Sequence, residues 1–307
     1  ATTEIYTLSL HDALPISHRP CRTSRASEQP MTAGLRPPTV AGQFYPAGRE
    51  ALAAELDRCI PLGIEAEKAI AIVSPHAGYV YSGATAGAVF ARVAVPERVV
   101  VLAPSHTGIG EPVAVWARGA WQTPLGEAAV DEELARSLLA LCPGASDDPA
   151  AHFHDLPFER QEHSLEVQLP FIQRRNPAAR IVPVSVGTHD PRRLAGLGSA
   201  LARAVKGAGG DALIVASSDM THFEPAGRAR ERDELALARV RALDPEGLLQ
   251  VVLGNRISMC GVAPVAAMLW AAKELGAREC ELVAYSHSGQ VTGDDSEVVA
   301  YAGLVVR

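Results

Sequence analysis

Three observations predict a three-layer α/β domain with a largely parallel or mixed central sheet. Short apolar, β-branched runs recur along the chain, and Ala- and Leu-rich stretches with helical spacing separate them. The runs also end alike, in small and polar residues that carry imidazole or carboxylate groups.

In chain order, "GREALAAELDRCI" (48–60) places apolar residues at helical spacing. "AIAIVSPHAG" (69–78) is the first run short enough for a strand covered on both faces. "SGATAGAV" (82–89) reads as small-residue helix packing, not as a phosphate cradle. "RVVVLAPSHTG" (98–108) repeats the strand design, and the turn-rich stretch around 104–127 has room for a hairpin. "DEELARSLLALC" (131–142) opens with acids that suit a helix N-terminus. "RIVPVSVGTHD" (180–190) and "DALIVASSDMTHF" (211–223) give two further strands. Helices are expected at 190–205, 231–244 and 263–276, the last with Pro264 near its first turn and Gly276 at its end. "CELVAYSHSG" and "EVVAYAGLVV" read as two final strands.

Composition narrows the class. The chain has 307 residues and a formal charge of −7, which argues against a nucleic-acid or anionic-membrane partner. No 18-residue apolar run suggests a membrane span. Five scattered cysteines without a CxxC fit a reducing, cytoplasmic setting better than a disulfide framework. Residues 1–30 resemble a translated sequencing adapter, so a natural start at Met31 is expected. Residues 1–36 are set aside as a non-native or disordered extension, leaving 37–307 as one domain.

In open α/β sheets ligands collect outside the carboxyl ends of the strands. His76, His106, and Asp219 with His222 follow three such ends, so they are expected at one sheet edge. Imidazole is a common ligand for zinc, copper and non-haem iron. Cys260, in "ISMCGVAP" just before a helix, is read three ways: apolar filler, nucleophile, or the thiolate that completes an N₂S ligand set. Asp219 and His222 could ligate, but they also suit acid–base work in which the carboxylate orients the imidazole; Asp219 reads as a helix N-cap as well, and the two roles are compatible. In "EHSLEVQLPF" (162–171), His163 and Glu166 share a helical face; His163 is the better site candidate and Glu166 a solvated or supporting one. His152 and His154 are expected to decorate the surface, His287 to lie near a strand end, and Asp294–Asp295 to form a solvated turn.

Taken together, "VAGQFYP" (40–46), "SPHAGYVYSG" (74–83), "APSHTG" (103–108), "TPLGE" (123–127), "EHSLEVQLPF", "VASSDMTHF" (215–223) and "SMCGVAP" (258–264) resemble the Memo family. The resemblance is to its microbial members, called AmmeMemoRadiSam system protein B. It implies a fold similar to the LigB-like class III extradiol dioxygenases and a metal site at His76, His106 and Cys260, with Asp219 and His222 close by. It also implies an AMMECR1-like protein and a radical SAM enzyme as partners. A thiolate where those dioxygenases use a carboxylate shifts metal preference towards copper or zinc without excluding iron. The leading expectation is therefore a metal-dependent oxidoreductase with iron or copper, zinc being possible, in which His222 or His163 moves protons. The alternatives are a non-catalytic metal carrier or peptide-binding scaffold that uses a vestigial cleft, and a hydrolase with Cys260 as nucleophile.

Overall fold

A computed structural model describes residues 34–153 and 161–307. The adapter-like stretch and His154 lie outside the described residues.

The chain opens with β1 (Leu35–Arg36) and α1 (Arg49–Cys59), then enters the central sheet at β2 (Ala71–Ser74). α2 (Tyr79–Arg92) leads to β3 (Arg98–Pro104), followed by the short strands β4 (Val113–Val115), β5 (Ala120–Thr123) and β6 (Gly126–Ala129). α3 (Glu132–Leu141) and β7 (Ser146–Asp147) precede α4 (Leu169–Arg175), β8 (Arg180–Val186), α5 (Pro191–Gly207) and β9 (Leu213–Ser217). β10 (His222–Glu224), α6 (Ala226–Arg241), α7 (Pro245–Gly254) and α8 (Val262–Leu275) follow. β11 (Cys280–His287), α9 (Gly289–Thr292) and β12 (Val298–Val306) complete the described chain.

The large sheet is mixed and runs β10-β12-β2-β9-β3-β8-β4-β7, with β11 also paired to β12. Its centre, β2-β9-β3-β8, is parallel, while β12 and β4 join it antiparallel on either side. The central strands are buried along nearly their whole length, which explains why they read as unbroken apolar runs. Helices α5, α7 and α8 pack together, with α8 on β2, β3 and β9; α1, α2 and α4 form a second helical group, with α2 on β2, β11 and β12.

Local chemistry sets the helix boundaries. The side chains of Asp131, Asp190 and Asp244 accept backbone N–H groups at the starts of α3, α5 and α7, and Gly276 closes α8 at φ 99°. In the small-residue stretch at 82–89, a Cβ on Gly87 would lie 2.0 Å from the Cys59 carbonyl oxygen, so glycine lets α2 cross α1 closely. The helix expected at 231–244 starts five residues earlier, and α7 was not anticipated from periodicity.

The expected hairpin is β5–β6, which joins β1 in a separate three-stranded sheet. Arg36 lies on the extension side of the expected 36/37 boundary, yet it is fully buried in this sheet. Its guanidinium lies 4.1 Å from the centre of the Trp121 ring and pairs with Glu166 at 2.5 Å.

Candidate metal centre

The order β2-β9-β3 makes three strand ends neighbours, with Ser74 opposite Ser217 in register. His76 follows β2 by two residues, His106 follows β3 by two, and Asp219 follows β9 by two. Cys260 reaches the same edge from the turn between α7 and α8. A Cβ on Gly261 would sit 2.3 Å from the Ser217 carbonyl oxygen and 2.4 Å from Ser218 Cβ. Only glycine lets the cysteine turn press against the end of β9.

His76, His106 and Cys260 each offer one ligand atom, and the three atoms lie within 4.8 Å of one another. His76 Nε2 is 3.3 Å from Cys260 Sγ, and the two imidazole rings stand edge to face at 5.2 Å. The remaining ring nitrogens are engaged. His76 Nδ1 lies 2.8 Å from Ser217 Oγ, and His106 Nδ1 lies 3.1 Å from Glu162 Oε1. A carboxylate only accepts, so His106 Nδ1 carries the proton and its Nε2 lone pair is left for a ligand. Two imidazole nitrogens and a thiolate with unfilled positions suit zinc, copper or iron. The donor set thus fits the metal that the sequence leads one to expect.

Glu162 was not singled out from the sequence, although it stands directly before His163. It is buried, and its oxygens accept from the backbone N–H of His106 (2.5 Å), His163 (3.0 Å) and Ser164 (3.0 Å) and from Ser164 Oγ (2.6 Å). The cluster His106, Glu162 and His163 also has ligand-like spacing, but with both oxygens so occupied Glu162 works as the holder of His106.

His163 stacks on His106 at 4.9 Å with rings 13° apart, and Phe44 covers it at 4.6 Å. His222 is half-buried, with Nδ1 2.9 Å from the Ser258 carbonyl oxygen, which it must donate to. Phe223, directly after it, is held at φ 58°, a strained conformation for an aromatic residue.

Several expectations need correction. Ser258, not Asp219, sets the His222 ring. Asp219 caps no helix; its Oδ1 accepts from the His76 backbone N–H at 2.8 Å, and its own N–H donates to Cys260 Sγ at 3.2 Å. Glu166 is neither solvated nor at the site. It is buried on Arg36, Thr39, Val40 and Tyr45, whose donors take both of its oxygens. His152 is 1% exposed, packed against Trp116 and Trp121, with Nε2 donating to the Ala114 carbonyl at 3.2 Å. His287 does end a strand, and Asp294 and Asp295 are exposed as expected.

The electrostatics follow from burial and neighbours. Burial, with His106 and His163 beside it, pushes the His76 pKa well below the usual value. Burial opposes charge on His106 too, but Glu162 and Cys260 outweigh it and raise its pKa well above the usual value, so a metal at Nε2 takes the place of the proton that the metal-free ring holds there. Burial and the charge on His106 lower His163 to about 4. Burial raises Asp219, and it also raises the Cys260 thiol, which weakens the case for a free nucleophile.

Fold and site define a three-layer α/β protein that gathers two imidazoles and a thiol at the carboxyl edge of its sheet. The sequence matches the family model for Memo-like protein over residues 36–305. The chain belongs to the Memo family. It is similar to a MEMO1 family protein of Methanopyrus kandleri, 40% identical over 286 residues, which cover 89% of this chain and 99% of that one. It is 42% identical over 277 residues to a MEMO1 family protein of Aquifex aeolicus, covering 88% and 98%. A solved chain of an uncharacterized protein from Escherichia coli K12 aligns with a TM-score of 0.44 at 18% identity, over 68% of this chain and 86% of that one. Among the described residues, no helix is long and apolar enough to cross a membrane.

Proposed function

We propose that this chain is a metal-dependent oxidoreductase with a dioxygenase-like site, using iron or copper held by His76, His106 and Cys260. The observation that carries the reading is the convergence of the three ligand atoms within 4.8 Å, with the far nitrogen of each imidazole already engaged. A redox-active ion bound there would supply electron transfer between a small-molecule substrate and an oxidant. The protein's own groups do the rest. His222, its Nδ1 committed to Ser258, is left with Nε2 to take or return a proton. His163, lowered to about 4, is neutral near pH 7 between Phe44 and His106; as a weak base it passes a proton on and does not keep it. Asp219 holds the His76 backbone and the sulfur in place. The scattered cysteines without a CxxC support a cytoplasmic setting, and the family resemblance supports an AMMECR1-like protein and a radical SAM enzyme as partners.

The test is metal content of anaerobically purified protein begun at Met31, compared with Cys260→Ser and His106→Ala. Near-stoichiometric iron or copper in the parent, lost in both variants, with an oxygen-dependent spectral change, supports the oxidoreductase. Retained metal without turnover across a broad substrate panel favours a carrier or scaffold. A parent that stays empty after reconstitution overturns the metal reading.

A further inference from the structure

Proton counting around Ser217 gives the site a direction. Ser217 Oγ lies 2.7 Å from the Ser164 carbonyl oxygen, 2.9 Å from Gln168 Nε2 and 2.8 Å from His76 Nδ1. A carbonyl cannot donate, so the single hydroxyl proton of Ser217 goes to Ser164. Gln168 cannot be turned around, because its amide nitrogen also faces the Pro75 carbonyl at 2.8 Å and must donate to both. The Ser217 oxygen is left with one lone pair for His76. Nδ1 of His76 must therefore carry a proton, which in the neutral ring leaves Nε2, facing Cys260, bare.

Ser164 has a second arm. Its backbone N–H and hydroxyl donate to Glu162 Oε1 at 3.0 and 2.6 Å, and Glu162 holds His106. Ser164, Ser217, Gln168 and Glu162 are all buried, so water does not compete for these bonds.

We propose that Ser217 and Ser164 are positioning residues that fix His76 as its Nδ1–H tautomer and join it to the Glu162–His106 pair, so that both imidazoles meet a metal as one unit. The proposal rests on the metal-centre reading, and its two measurements separate the two. In metal-free protein, nitrogen-15 NMR of the imidazoles should show His76 protonated at Nδ1. Ser217→Ala should give a tautomer mixture, while Ser164→Ala, which keeps the carbonyl, should leave His76 unchanged. A parent His76 protonated at Nε2, or a Ser217→Ala spectrum identical to the parent, overturns the relay. If Ser217→Ala does not fold, the parent spectrum alone decides the tautomer.

Zinc affinity, by competition with a chromophoric chelator, tests the joining. Each single variant should lose about 10–100-fold, the usual range for groups behind a metal ligand. The double variant should lose less than the product of the two, because Ser217→Ala has already cut the hydrogen bond through which a shift of the Ser164 backbone reaches His76. Multiplicative losses overturn the joining. A parent that binds no zinc counts against the metal centre, while the His76 spectrum still decides the relay.

Discussion

Glu162 grips His106 at two points, its backbone N–H at 2.5 Å and its ring Nδ1 at 3.1 Å, from 56 residues further along the chain. The carboxylate thereby sets the position of the loop after β3 and the protonation of the ring it carries.

Glu162→Gln tests that grip. All the groups around the two oxygens are donors, so either orientation of an amide sets N–H against N–H. Zinc affinity should fall by about 10–100-fold, and urea unfolding should show a loss of about 1–3 kcal/mol. An affinity within twofold of the parent would remove Glu162 from the site.

Gly261→Ala tests how Cys260 is delivered. The added Cβ meets the Ser217 carbonyl and Ser218 Cβ, neither of which is the end of a flexible side chain. The cysteine turn must lift, at about 1–3 kcal/mol and with weaker zinc binding. Unchanged stability together with unchanged affinity would show that the turn is free to approach β9 differently.

Arg36→Met addresses the ion pair that ties β1 to the turn before α4. Both side chains are 0% exposed, so removing the guanidinium leaves Glu166 charged and buried. The denaturant midpoint should report a loss of about 3–5 kcal/mol. A loss below about 1 kcal/mol would mean that Thr39, Val40 and Tyr45 hold the carboxylate unaided.

His152 makes stability depend on pH. Burial, and Arg36 nearby, push its pKa down to about 4 from an ordinary 6.5. Between those values the unfolded chain binds a proton that the folded chain refuses. The stabilisation is therefore whole above the ordinary value and drains as pH falls towards 4. Measured by urea unfolding at pH 7 and 5, the stability difference should be about 2 kcal/mol smaller in His152→Leu than in the parent. Equal differences would reject a neutral buried imidazole. His163 adds a dependence of the same sign, so some slope should remain.

Much of the frame was legible from residues close together in the chain. A strand covered on both faces must be apolar throughout, and a helix start needs its cap within three residues, so "RVVVLAP" and Asp131 announce themselves. The strand endings then pointed to His76, His106, Asp219 and His222 at one edge, because a parallel sheet places equivalent ends together. Cys260 needed the family resemblance, since its own neighbours suit a core thiol equally well.

What the chain order could not show is which polar groups answer one another. His76 finds Ser217 across 141 residues and Arg36 finds Glu166 across 130, and His152 is buried by Trp116, just past β4, and Trp121 of β5. Hydrophobic periodicity sorts residues into inside and outside, but it does not rank one buried acceptor over another. Hydrogen bonds are short and directional, so that choice waits until packing has fixed positions to within a fraction of an ångström. The sequence by itself determined the sheet, its edge and the imidazoles set along it; tertiary structure decided where Glu166 and Asp219 turn, what holds each ring, and so which nitrogen faces the cysteine.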